Sequence, residues 1–211
     1  MDPYLYLLVT SVFVAYQTPT LAPLSVNVEL VNAAGLPDRL VKDAQKEASR
    51  IFSTSQVHLA WIHEPEDDSS PHLKVLITSD EFGTNRIHGV MWVLGKAPSA
   101  GEDHRNVALV SYPSVLRSSF TYRISAQQML GAVIVHEVAH LLLPRGWHDR
   151  QGVMRRAWDS TDFQLLSMRQ LGFAAVSANL LRAGVERTMH RSLDRTSIPM
   201  LPVSYSRRYE P

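Results

Sequence analysis

Nine histidines are spread along the 211 residues, and two of them stand four apart in His136-Glu137-Val138-Ala139-His140. On an α-helix, positions i and i+4 lie on one face with Cβ atoms roughly 6 Å apart, so two imidazoles at that spacing can close on one metal ion. Glu137 sits one residue round the helix, beside the metal direction rather than along it. A carboxylate there reaches a water without displacing it, which suits a general base in metal-assisted hydrolysis. The flanks 129–135, 138–139 and 141–143 are apolar throughout, and a helix apolar on nearly all sides is a buried one. Two histidines and a glutamate buried without partners would cost on the order of several kcal/mol, a cost that a metal offsets. The competing explanation is a pair of core histidines hydrogen-bonded to backbone.

A zinc site of the catalytic kind needs three protein ligands and one open position. Pro144 stops the helix, since the residue before a proline leaves the helical region and proline has no N–H. Gly146 permits a tight turn, and His148 follows eight residues after His140. The expected set is therefore His136, His140 and His148 as metal ligands and Glu137 as the catalytic base. Asp149 becomes the third ligand if His148 points away. A distant acid such as Glu186 is a further alternative, without a recognisable motif around it. Trp147, Asp149 and Trp158 are candidates for orienting the ligands or lining the pocket. No cysteine is present, which removes disulfides, thiolate ligands and a thiol nucleophile together.

With Gly152-Val153-Met154 placed just after the third histidine, the stretch 136–154 resembles the metzincin clan of zinc metallopeptidases. That clan joins HExxH, a third histidine and a downstream methionine turn. Its usual spacing is HExxHxxGxxH; here Leu143 stands where the glycine belongs and Gly146 where the third histidine belongs. The stretch is closer to a group of bacterial metzincin-like proteins that read roughly HExxHLLLGxxxHxxxGxM. Against that pattern Leu141-Leu142-Leu143, His148, Gly152 and Met154 fall in place, and Pro144 replaces a glycine. The close overlap covers roughly 25 residues and the order of elements roughly 150. The clan's downstream tyrosine has no counterpart, since Arg155 and Arg156 follow Met154, so the stabiliser of the tetrahedral intermediate is unassigned. The lack of cysteine separates the chain from archaemetzincins, which carry an additional cysteine-bound zinc.

The resemblance implies Zn²⁺ held by His136, His140 and His148, with Met154 as a structural floor beneath them. It implies that Glu137 takes a proton from the water attacking a peptide carbonyl and passes it to the leaving amine. The activity so implied is that of a zinc-dependent peptidase with a peptide or protein substrate. The altered spacing, Pro144 and the missing tyrosine motivate the alternative, a catalytically inactive metzincin-fold zinc-binding module.

The elements that must position these residues read as an α/β (α+β) zincin-like fold. Strands are expected at 24–31, 57–62, 73–78, 88–94 and 106–111, giving a mixed sheet of about five strands. A backing helix opens at Pro37 and runs to about 52, with Leu40, Val41, Ala44, Ala48 and Ile51 along one face. The buried helix bearing the histidines should start at Ser125 or Ala126 and end at Leu143. Asp159, with Asp162 at N3, caps a further helix whose apolar side is Phe163, Leu165, Leu166, Met168, Leu171 and Phe173. By resemblance, 88–94 is the sheet edge above the cleft and binds an extended peptide by strand addition, the alternative being a plain interior strand. The loop 95–104 overhangs that cleft. His88 and His104 are expected at the surface rather than on a metal, having no partner at ligand spacing. The acidic loop 63–71 lacks the regular spacing of a calcium site and reads as a solvated surface.

Composition agrees with one globular domain: 45% of residues are hydrophobic and 19% charged, and a net charge of +1 points to no nucleic acid. Residues 4–16 form an apolar run too short to span a bilayer and about right for the core of a signal peptide. No lysine or arginine precedes it and no clean cleavage site follows. Export to a periplasmic or secreted location and an ordinary apolar segment, packed or anchoring, of a cytoplasmic protein both stay open. The expected division is a leader or apolar segment at 1–22, the metzincin-like catalytic domain at 23–175, and a basic C-terminal extension at 176–211. That extension carries six arginines against three acids from residue 182 onward and is expected to be partly helical or mobile. Sequence gives no oligomeric state and no substrate specificity.

Overall fold

The computed structural model describes residues 24–62, 72–85, 91–92, 94–97 and 106–196. The apolar leader, the acidic loop 63–71, His88, His104 and the chain beyond 196 therefore lie outside the described residues.

Strand β1 (Leu24–Asn32) places Val26 and Val28 in the core. Helix α1 (Asp38–Ser53) follows Pro37 and buries Ala44, Glu47, Ala48, Ile51 and Phe52, the one-sided pattern of an amphipathic helix. The chain returns in β2 (Val57–Ile62), parallel to β1, so the first unit is a strand-helix-strand crossover. Strand β3 (Leu73–Thr78) pairs in parallel with the other side of β1 and alternates, with Leu73, Val75 and Ile77 inward. The short β4 (Thr84–Asn85) and β5 (Met91–Trp92) pair with each other. Next, β6 (Gly95–Lys96) runs antiparallel to β7 (Val107–Ser111), which is parallel to β3. The sheet is five-stranded and mixed, in the order β2-β1-β3-β7-β6. Of the strand expected at 88–94, residues 88–90 and 93 lie outside the described residues; Met91 and Trp92 belong to the separate two-stranded ribbon, and the described edge of the sheet is β6.

Helix α2 (Tyr112–Tyr122) has no counterpart in the sequence expectations. Its inner face is mostly serine, with Ser114, Ser118 and Ser119 buried beside Val115, so the apolar period that marks a helix is missing. The Ser111 side chain caps it, and a proline occupies the first turn. Helix α3 (Ala126–Leu142), capped by Ser125, is the expected histidine-bearing helix. It packs against α1, α2 and β7, and Met129, Leu130, Ile134, Val135, Val138 and Ala139 are fully buried. Each large apolar side chain so buried contributes roughly 1.5–3 kcal/mol.

Helix α4 (Ser160–Ser167) begins with the expected reciprocal cap between Asp159 and Asp162. It stops sooner than expected: Arg169 takes φ 59°, and Leu171 reaches the core from outside the helix. Helix α5 (Ala175–Thr196) buries Ser177, Leu181 and Val185, and its Gly184 lies against the carbonyl of Leu142 at the end of α3. Among the described residues, no helix is long and apolar enough to cross a membrane.

Helices α3 and α1 approach closely at Gly131, where an added Cβ would stand 2.7 Å from the Ala44 carbonyl oxygen and 2.8 Å from Glu47 Cβ. Both obstacles sit on the body of α1, so neither can swing away. Gly131→Val should lower the unfolding free energy by about 1–3 kcal/mol, read as a shifted midpoint in urea denaturation.

Candidate metal centre

Helix α3 carries His136, Glu137 and His140 on consecutive turns. The helix ends at Leu143, which is extended at φ −84° and ψ 163°. Trp147 N then donates to the Pro144 carbonyl at 3.0 Å, closing a turn. Gly146 within it has φ +68°, a conformation that side chains rarely adopt. This turn returns the chain so that His148 faces the two helical histidines. One ligand atom from each of the three lies within 4.8 Å of the others. Ring centroids are 4.7 Å apart for His136–His140, 4.8 Å for His140–His148 and 5.5 Å for His136–His148.

Hydrogen bonds decide which nitrogens face inward. His136 Nδ1 lies 2.8 Å from the Val153 carbonyl oxygen and His148 Nδ1 3.2 Å from that of Gly146. A carbonyl oxygen only accepts, so both Nδ1 atoms carry the hydrogen, and each neutral ring keeps its lone pair on Nε2. His136 Nε2 and His140 Nε2 stand 3.1 Å apart. Two nitrogens bound to one tetrahedral zinc stand roughly 3.4 Å apart. Three neutral imidazoles, each offering one ring nitrogen to a common point, and no thiolate in the chain, fit a borderline cation such as Zn²⁺.

Burial keeps these rings neutral. It pushes His136 down to about 4 and, together with the neighbouring rings, His140 down to about 3. His148 is lowered too, by burial first, with the Arg156 charge adding to it and the Gly146 carbonyl opposing. Burial acts the other way on Glu137 and raises it to about 8. Its carboxyl is enclosed by β6, where a Cβ on Gly95 would stand 2.6 Å from Glu137 Cδ and Oε1. Glycine at 95 is what lets the edge strand pass. A cation beside this carboxyl would favour its ionised form.

The segment after His148 supports the centre from behind. Asp149 N donates to the Met154 carbonyl at 2.9 Å, Val153 N to that of Gly172 at 2.9 Å and Arg155 N to that of Gly152 at 3.0 Å. Met154 is fully buried inside this turn. The Val153 carbonyl accepts from Trp158 Nε1 at 3.0 Å as well as from His136. Trp158 thus shares the acceptor that orients a candidate ligand. Arg155 is held by Asp159 and Asp162, while Arg156 is exposed.

Of the sequence candidates, His136, His140 and His148 come together, with Glu137 beside them. The two alternative third ligands do not. The Asp149 carboxylate accepts from Arg150 N at 2.7 Å and from the Ser177 hydroxyl at 2.8 Å, so it is turned toward α5. Glu186 is exposed on α5. Among the described residues, no other acid or histidine joins the cluster. Sequence reasoning missed Gly95 and Ser177, which lie far from the motif in the chain and carry no local pattern.

No protein-family model matches this chain, and no curated protein matches it. Among solved structures it is similar to a zinc-dependent peptidase from Methanocorpusculum labreanum (strain Z), at 15% identity and TM-score 0.47, over 73% of this chain and 99% of that one. It is also similar to an archaemetzincin from Methanopyrus kandleri, at 16% identity and TM-score 0.47, over 77% and 97% respectively.

The opposed shifts give the metal-free protein a stability optimum. His136 and His140 bind protons more weakly when folded, so the stability tied to them is lost as pH falls below 6.5 toward about 4 and 3. Glu137 binds its proton more tightly when folded, so its contribution is lost as pH rises from 4.5 through about 8. Two histidines outweigh one glutamate below pH 6.5, and the glutamate acts alone above it. Chelator-treated protein should melt highest near pH 6.5, with Tm falling on both sides, and Glu137→Gln should flatten the alkaline limb. A Tm that climbs steadily from pH 6.5 to 8 would contradict this assignment.

Proposed function

We propose that this protein is a zinc-dependent peptidase that hydrolyses peptide bonds with Glu137 as general base. The observation that carries the reading is the convergence of the His136, His140 and His148 nitrogens, with the buried Glu137 carboxyl on the helix that bears the first two. Zinc held by these rings supplies a Lewis acid for a carbonyl and lowers the pKa of a water toward ~7. Glu137 accepts the proton of the attacking water and delivers it to the leaving amine. The Gly152–Arg155 turn, with Met154 inside, acts as a floor that holds His136 through the Val153 carbonyl. A peptide substrate is supported by β6, a strand at the end of the described sheet, because an extended chain docks on an open edge through main-chain hydrogen bonds.

A second reading, a zinc-binding module without turnover, is favoured by one observation. Glu137 is only 6% exposed and packs against the Gly95 backbone, which leaves its carboxyl little room to reach a substrate.

Purified protein should contain about one zinc per chain. Glu137→Gln should keep that zinc and lose peptide hydrolysis by about 10²–10⁴-fold, measured on a quenched-fluorescence peptide library with zinc counted in the same sample. Wild-type turnover in that variant would remove Glu137 from the base role. Zinc uptake by the wild type with no cleavage across the library would favour the second reading. His148→Ala should release metal while Asp149→Asn retains it.

A further inference from the structure

The third candidate ligand is the one that no regular element holds. His136 and His140 are fixed by the hydrogen-bond ladder of α3, whereas His148 stands in the connection between α3 and α4. Its own ring bond is to Gly146, within the same turn. Its two chain neighbours, however, are tied to a single atom. Trp147 Nε1 donates to Ser177 Oγ at 3.1 Å, and the Ser177 hydroxyl donates to Asp149 Oδ2 at 2.8 Å. An indole N–H can only donate and a carboxylate only accept, so one hydroxyl serves both neighbours with no ambiguity of direction. Ser177 is wholly buried. It lies on α5, which is seated on the body of the protein by Leu181, Val185 and the contact of Gly184 with the Leu142 carbonyl. Leu142 is the last residue of α3, the helix of the other two histidines.

We propose that Ser177 is a positioning residue for the metal centre, clamping Trp147 and Asp149 so that α5 holds His148 in coordinating position. The inference rests on the reading of the three histidines as a metal site. It assigns α5 a part in that site, although α5 lies beyond the segment bearing the motif. Without the hydroxyl, Trp147 loses its acceptor and Asp149 a donor at once. The loop then gains freedom, and His148 must be ordered when metal binds rather than beforehand. A zinc site that keeps His136 and His140 but loses a preorganised third ligand binds more weakly. Removing partners that orient metal ligands typically lowers affinity about 10–100-fold.

The test uses the full chain and competition with a chromophoric chelator to measure the zinc dissociation constant of the wild type, Ser177→Ala, Trp147→Phe, His148→Ala and the double variant Ser177→Ala/His148→Ala. Far-ultraviolet circular dichroism checks folding. Ser177→Ala should weaken zinc binding by about 10–100-fold, and Trp147→Phe, which keeps the ring but not the donor, should weaken it in the same direction. The effect of Ser177→Ala should vanish when His148 is already alanine, because the serine acts through that ring. In cobalt-loaded protein, Ser177→Ala should also lose visible absorption intensity relative to the wild type. Unchanged zinc affinity in Ser177→Ala would overturn the proposal. So would an undiminished loss in the His148→Ala background, which would mark a general effect on the fold. A wild type that takes up no zinc would overturn the metal reading itself and this inference with it, a result distinct from either of those.

Discussion

The hydrogen bond from His136 Nδ1 to the Val153 carbonyl does more than fix one ring. It sets the tautomer, leaves Nε2 free, and joins α3 to a turn that lies seventeen residues further along the chain. The same carbonyl holds Trp158, and the same turn receives Asp149 N and donates from Val153 N to Gly172. A helix supplies spacing for two rings but not their rotation about the side-chain bonds. In this protein the rotation comes from backbone acceptors, Val153 for His136 and Gly146 for His148.

The surroundings make that arrangement demanding. Three half-buried imidazoles facing one another cannot carry protons cheaply, and each is pushed toward neutrality by burial. Glu137 beside them is pushed the opposite way, for the same reason. The low dielectric that penalises a bare carboxylate there also strengthens its attraction to a cation. The tight packing that creates this interior depends on positions with no side chain. Gly131 lets α3 approach α1, and Gly95 lets the edge strand approach Glu137.

Support for the centre is spread over the chain rather than confined to the motif. The buried helix and its two histidines come from one segment, the third histidine from a turn after Pro144, and the anchors of that turn from α5. Asp149 illustrates the consequence. In sequence it is as near to the site as His148, and its acidity makes it a plausible ligand. Ser177 and Arg150 N occupy its carboxylate, which leaves the histidine to face inward.

Much of this was legible from residue types alone. The HExxH spacing, the apolar flanks, the stop at Pro144 and the turn at Gly146 specify a buried helix with two candidate ligands and a returning chain, because helical periodicity and backbone sterics are local. The alternating strands and the Asp159–Asp162 cap were legible for the same reason. Helix α2 was not, since its buried face is mostly serine and it packs on α3. Nor was the sheet edge, because the apolar run near 88–94 does not say which partner strand it will meet, and β6 is only two residues long. Sequence by itself determined the donor types and the helix that carries two of them. Only the tertiary structure decided that His148 rather than Asp149 or Glu186 completes the cluster, and that Gly95 and Ser177 attend it. Those choices depend on contacts between segments far apart in the chain, and no local spacing encodes such contacts.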